Sequence, residues 1–396
     1  MVALRFFTIL TMVLLTALSG QAFEPESTIS PTMPYQVRSI DSVTYDIEMT
    51  HTITAPYKTK LLRVWMPIPP SDNVQTVLSS AISTFPDEMK PEVGTEPLYG
   101  NRFAYFEFQN PQGAQTIRHQ FRVRTSELHW NLDADAIEIP RTWPDAFAPY
   151  LRNETQSVVT TGPVTELFKE IIPEGQNPLR NLDTLLRWVN HNMTYDHTTA
   201  SLQASSLHAL TERRGHCSDY HGLCAAVGRL MSLPTRVTYG INTFPKSSPS
   251  HCKLEVFLPP SGWVSFDISE TQKLCQGIRG DNQIDAKRKE QWIDAAHRRL
   301  LAGYRDNTWI LQTRGSDYDL VPAASKRVAV VRTIYAEADG EALKDPDPSN
   351  KDEHAFAWMT ASRFRSDRKV SYPFQDTSSL DRWLKSNEHS TKENSP

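Results

Sequence analysis

The chain has only four cysteines in 396 residues, no excess of basic charge, and no apolar run long enough to span a membrane comfortably. Each shortage excludes something. A net charge of −4 gives no electrostatic basis for binding nucleic acid. The extended apolar run from Phe6 to Leu18 follows Arg5 and precedes the small residues Gly20-Gln21-Ala22. It reads as a secretory signal over residues 1–22, an uncleaved anchor being the alternative. No cysteine follows the run, which argues against a lipid anchor. Export to a periplasm or the extracellular space is therefore expected, with no transmembrane segment once the signal is removed. In such an oxidising compartment Cys252 and Cys275 are one pairing open to the four cysteines, but spacing does not fix connectivity. The acidic stretch Asp345–Glu353 lacks the glycine and the terminal glutamate of a calcium-binding loop, so it reads as a solvated linker. No metal or other cofactor is expected, and no internal repeat is evident.

The informative segment is Arg214-Gly215-His216-Cys217-Ser218-Asp219-Tyr220-His221, followed 34 residues after the cysteine by His251 and 16 further on by Asp267. It reads as a thiol-nucleophile site. A cysteine is a useful nucleophile only as thiolate, and two devices lower its pKa here: the opening turn of a helix and a histidine able to take the proton. A carboxylate then holds that histidine in the right tautomer.

Local pattern supports each part. Residues 206–213 predict a short helix, with Ser206 as N-cap and Gly215 just past the end, so the chain turns sharply before Cys217. From Ser218 onward Leu223, Cys224, Val227, Leu230 and Met231 recur at helical spacing and Pro234 stops the run, which sets Cys217 at a helix N-terminus and Cys224 on the core stripe. His251 lies on a strand. In residues 250–258, Cys252, Leu254, Val256 and Leu258 form the apolar set, while His251, Lys253 and Glu255 point the other way. After the turn Pro259-Pro260-Ser261-Gly262, Trp263, Ser265 and Asp267 take the face opposite Val264 and Phe266. Two hairpin registers keep the apolar sets together, with Asp267 either directly across from His251 or one diagonal away. A zinc site from Cys217, His221, Cys224 and His251 matches no structural zinc spacing. Tyr195, in Met193-Thr194-Tyr195-Asp196, is a candidate hydrogen-bond donor to an oxyanion beside the backbone N–H of Cys217, a packed core tyrosine being the other reading.

These residues, with Ala209-Leu210, Arg229-Leu230-Met231-Ser232-Leu233-Pro234-Thr235-Arg236 and Gly262-Trp263, resemble the transglutaminase-like superfamily of papain-type folds. The resemblance covers roughly residues 150–340, including Gly315–Leu320 and Glu337–Gly340 as closing strands. It implies Cys217 as nucleophile, His251 as general base and acid, and Asp267 as the orienting third member. One departure is visible: the family often has an aromatic residue two positions after the histidine, and Lys253 stands there.

The expected architecture is α+β: a papain-like transglutaminase core, with a helix-borne cysteine packed on an antiparallel sheet, preceded by an all-β sandwich-like domain. The sandwich is expected over residues 36–132, from alternation such as Val43, Tyr45, Ile47 and Met49 or Leu62, Val64, Met66 and Ile68. Val64-Trp65-Met66-Pro67-Ile68-Pro69 is similar to modules that precede bacterial domains of this family. Pro140, Pro144 and Pro149 mark the boundary, and helices are predicted over 163–172 and 178–191. Residues 344–396 are expected as a polar linker and a tail whose last ten residues are without structure. Function is expected to be thioacyl chemistry on protein or peptide amides, cell-envelope polymers among them. Water resolves the intermediate in a cysteine peptidase or amidase, and an amine in a cross-linking acyltransferase. The alternative is an inactive envelope protein that binds peptide or glycan.

Overall fold

The structure is a computed structural model and describes residues 29–393. The signal-like run at 1–22 and the last three residues lie outside the described residues.

Two antiparallel sheets face each other in the β-rich part. The first is centred on Arg38–Thr54, with Ala114–His129 on one side and Trp358–Ser366 on the other; Gln75–Phe85 and the short Tyr304–Arg305 pair with Ala114–His129. The second has Leu61–Ile68 between Arg102–Gln109 and Tyr335–Ala338, with Glu92–Thr95 and Glu341–Ala342 at the edges. Alternation puts Ile53 and Ile117 of the first sheet in one core with Val64, Met66 and Phe106 of the second.

The third sheet carries the site. Its order is Gly262–Phe266, Ser250–Leu258, Thr235–Asn242 and Trp309–Arg314, all antiparallel. The helix Cys217–Leu230 lies on one face and buries Leu223, Cys224 and Val227 in the same core as Leu254 and Val256. Helices Pro163–Ile171 and Pro178–Asn192 pack behind it, their apolar stripes (Val164 and Leu167; Leu182, Leu185, Leu186 and Val189) turned inward. The other face of the sheet is buried too, so the polar set His251, Lys253 and Glu255 is enclosed rather than solvated.

The C-terminal part differs from expectation. Residues 344–396 are not merely linker and tail: Trp358–Ser366 pairs along Arg38–Thr54, with Phe364 opposite Ile47, and Ser378–Glu393 is helical, packing on the helix Ala286–Ala302. The strand escaped notice because it is an edge: Arg363 and Arg365 face solvent, so the alternation reads as polar. Likewise Glu337 stands opposite Arg63 in the sandwich, and Trp309–Arg314 is what closes the third sheet. Tyr318 makes only an isolated bridge to Val328. All four cysteines are free thiols, Cys252 and Cys275 included.

Candidate active site

Cys217 is the first residue of its helix because the preceding turn forces it there. The helix Ser206–Glu212 is capped by Ser205, whose side chain accepts from the His208 N–H, rather than by Ser206, which bonds the backbone of Val159. Arg213 adopts the left-handed conformation that ends this helix. Gly215 follows with φ +147°, and a Cβ there would meet Asp219 Oδ2 at 2.3 Å. That space is needed because Asp219 reaches back to the His216 N–H at 3.1 Å while the His216 ring accepts from Ser218, a reciprocal cap. Cys217 therefore sits where unsatisfied N–H groups and the helix dipole favour an anion.

The hairpin register pairs Leu254 with Phe266 and Val256 with Val264, so Asp267 lies across from Lys253 and one diagonal from His251. His251 Nε2 donates to Asp267 Oδ2 at 2.7 Å, which leaves Nδ1 for the thiol, whose anionic form the imidazole favours. The Cys252 N–H also points at Cys217 Sγ, 3.4 Å away. Gly240, opposite His251, has no side chain because the Trp309 indole crosses it, donating to the His251 carbonyl at 3.0 Å. Strand, indole and carboxylate thus fix the imidazole from three sides.

Electrostatics follow the geometry. Burial alone would push the Cys217 thiol up, but the His251 and His216 rings overcome it and hold the thiol well below its usual range. Burial would pull the His251 imidazole down; the Asp267 carboxylate and the Cys217 thiolate raise it instead, to about 9. Asp267, although buried, is kept ionised by Lys253 first and His251 second. The pair at rest is thiolate and imidazolium. His221, from the same helix as Cys217, accepts from the Ile268 N–H at 3.2 Å, and burial lowers it to about 4, so it stays neutral.

Tyr195 belongs to a two-residue strand parallel to Arg214–Gly215, and its hydroxyl lies against the Cys217 backbone N–H. Burial, then the charges of Cys217 and Glu270, keep this phenol protonated far into the alkaline range. All four residues singled out in the sequence are thus brought together.

Other groups were missed. Lys253 donates to Asp267 Oδ2 at 2.6 Å and to Asp306 Oδ1 at 3.4 Å, with the ammonium over the Trp309 and Phe374 rings. Its register opposite Asp267 was the available signal. Glu270, one turn into the helix Ile268–Gly280, stands 4.0 Å from His251 Nδ1. The stretch read as a solvated linker is instead tied to the rest of the molecule: Asp347 accepts from His197 at 2.8 Å, Asp345 pairs with Arg332, and Ser349 bonds Ser247 at 2.9 Å. Cys217 is only 6% exposed. Nothing in the acidic composition of that segment announced partners so distant in sequence.

A mixed α+β core in which a helix-borne thiol meets a strand-borne histidine and its carboxylate defines a papain-like thiol fold. Residues 165–268 match the transglutaminase-like superfamily. The fold extends over most of the molecule: the structure of a candidate cysteine protease from Cytophaga hutchinsonii aligns with 87% of this chain and 98% of its own at TM-score 0.58, with 15% identity. The periplasmic domain of TgpA from Pseudomonas aeruginosa is 14% identical over 60% of this chain and 91% of its own, at TM-score 0.31. An uncharacterised protein of Haemophilus influenzae is 21% identical over 342 residues, covering 78% of this chain and 89% of that protein.

Proposed function

We propose that this chain is a cysteine-dependent acyl-transfer enzyme, resolved by water in its main activity and so a peptidase or amidase. One observation carries this reading: the helix-borne thiol lies against the strand that bears the imidazole, its pKa lowered by that ring, and the imidazole is hydrogen-bonded to the buried carboxylate.

The steps follow from that arrangement. The Cys217 thiolate attacks a substrate carbonyl carbon, and the C=O electron pair moves onto oxygen, where the Cys217 N–H and the Tyr195 hydroxyl receive it. The tetrahedral intermediate expels an amine or ammonia, which takes the proton from His251 Nδ1. Water then enters, gives its proton back to His251 and releases the acid and the thiolate. Asp267 remains ionised throughout and holds the ring. An amine in place of water would make the same site a cross-linker.

The test is incubation of peptides containing glutamine or internal amides with a labelled amine. Ammonia or shortened peptides, abolished in Cys217→Ala, support the hydrolase; amine incorporation would reassign the chain to transfer. If wild type and Cys217→Ala are equally inert across varied substrates, the catalytic reading falls and a peptide- or glycan-binding role replaces it. Cell-envelope polymers are the favoured substrates because Arg5 and the apolar run at 6–18 point to export. No helix among the described residues is long and apolar enough to cross a membrane. Sequencing the N-terminus of the mature protein checks the export reading, which expects a start just after Ala22.

A further inference from the structure

Glu270 carries more positive charge than a structural ion pair requires. Its Oε1 accepts from both Lys246 and Lys273, each at 2.9 Å, while Oε2 accepts from the Tyr372 hydroxyl at 2.6 Å. The carboxylate is buried, with 4% of its side chain exposed, whereas the two lysines retain 22% and 27%. The cluster has a net charge of +1, and its lysine side chains are more exposed than its carboxylate. Each ammonium has three donors and spends one on Glu270.

The location gives this excess a meaning. Glu270 Oε1 is 4.0 Å from His251 Nδ1, the nitrogen that serves Cys217, so both ammonium groups stand one carboxylate away from the reacting atoms. The Lys273 head also lies 3.4 Å over the ring of Tyr195, the residue placed at the oxyanion. Two elements contribute, the loop before Ser250–Leu258 and the helix Ile268–Gly280, and the Lys246–Glu270 bond links them. Beside them Glu270 and Lys273 border a cavity of about 330 Å³, whose lining combines Leu274, Ile278, Ile284 and Phe374 with the polar Asp281 and Gln375; Lys246 stands outside it. The apolar part of this lining suits a hydrocarbon group next to an anionic one held by the ammonium heads.

We propose that Lys246 and Lys273 form an anion subsite that takes a carboxylate of the substrate close to the carbonyl attacked by Cys217, with an adjoining apolar group in the cavity. The inference rests on the thiol-enzyme reading and narrows its substrates to peptides or N-acyl amino acids with a free carboxylate next to the scissile amide. Glu270 is the positioning residue: it holds the two heads in place without cancelling them.

Two alkylating agents that differ only in charge test this without a known substrate. Iodoacetate and iodoacetamide are allowed to compete for Cys217 in the mature protein, and the adducts are counted by peptide mass mapping in wild type, Lys246→Met, Lys273→Met and the double variant. The wild type is expected to favour iodoacetate over iodoacetamide more than a free thiol does. Each methionine is expected to lower the iodoacetate-to-iodoacetamide ratio by about 3- to 10-fold, the scale of one partly exposed charge pair. Lysine-to-arginine variants are expected to keep most of the ratio, and high salt to erode it. Because the ratio is taken within one sample, partial misfolding does not mimic the effect. A ratio unchanged in all the methionine variants, with Cys217 still activated toward iodoacetamide, overturns the subsite and leaves the thiol enzyme standing. A Cys217 no more reactive than an ordinary thiol toward both agents overturns both.

Discussion

Lys253 and His251 donate to the same oxygen, Oδ2 of Asp267, at 2.6 and 2.7 Å. A full cation therefore competes with the imidazole for its orienting carboxylate. Lys253 favours the ionised carboxylate and opposes the positive charge of the imidazolium; Cys217 and Asp267 favour that charge, while His221 stays neutral at its edge. Replacing Lys253 by methionine removes the opposing charge, so the His251 pKa should rise above its value of about 9. The alkaline limb of turnover, where the imidazolium can no longer protonate the leaving amine, is expected to move up by about 1 pH unit in Lys253→Met. A limb that stays in place would remove Lys253 from any electrostatic role. The variant should also melt lower, because Asp306 is left buried without its cation, and adding Asp306→Asn should recover part of the loss.

The thiolate of Cys217 depends on its histidines. With the thiol pKa lowered and the imidazole raised, the ion pair exists between the two values and disappears as pH falls through the first. In His251→Ala the thiol pKa should climb toward the ordinary value of about 8.5, and alkylation near neutral pH should slow by about tenfold or more. Rates of iodoacetamide labelling across pH 4 to 10 would read this directly; coincident profiles for wild type and variant would contradict the activated pair.

Arg229 joins the Cys217 helix to the loop at residues 152–154. Its guanidinium donates to Glu154 Oε1 at 2.9 Å and to the Arg152 carbonyl at 2.7 Å, and Glu154 is fully enclosed. Arg229→Met removes the nearer cation of that carboxylate, leaving Arg152 at 4.0 Å, and is expected to cost about 3 kcal/mol, seen in urea unfolding. Glu154→Gln in the same chain should restore a portion. A change below about 1 kcal/mol would mean that water reaches Glu154.

Gly215→Ala tests the helix start. The new methyl meets Asp219 at the atom that caps His216 and also imposes a strained φ. Loss of about 1–3 kcal/mol is expected, together with slower alkylation of Cys217. An unaltered labelling rate would show that the cap does not set the thiol's position.

Much of the site was legible because its determinants are local. A glycine before a helix, a histidine on an alternating strand and an aspartate after a tight turn are each written within a dozen residues, and register rules confined Asp267 to two places, one of which it occupies. The fold class was legible for the same reason. Lys253 was visible as a departure from the family and through its register opposite Asp267; its other partner, Asp306, lies 53 residues on, beyond any local period. Arg332, His197 and Ser247 meet Asp345, Asp347 and Ser349 through tertiary packing alone, so an acidic, proline-broken stretch reads as linker until those contacts are seen. The strand Trp358–Ser366 was hidden by its arginines: half its surface belongs to water.

That strand sets an order of events. Arg38–Thr54 leaves the ribosome long before Trp358–Ser366, one of its two hydrogen-bonded neighbours. A chain not yet extended that far can form the hairpin of Ser250–Leu258 and Gly262–Phe266, yet its first sheet keeps an open edge. Pairings so distant in sequence form slowly. The first sheet is therefore finished after the one that bears His251, when Trp358–Ser366 folds back along Arg38–Thr54.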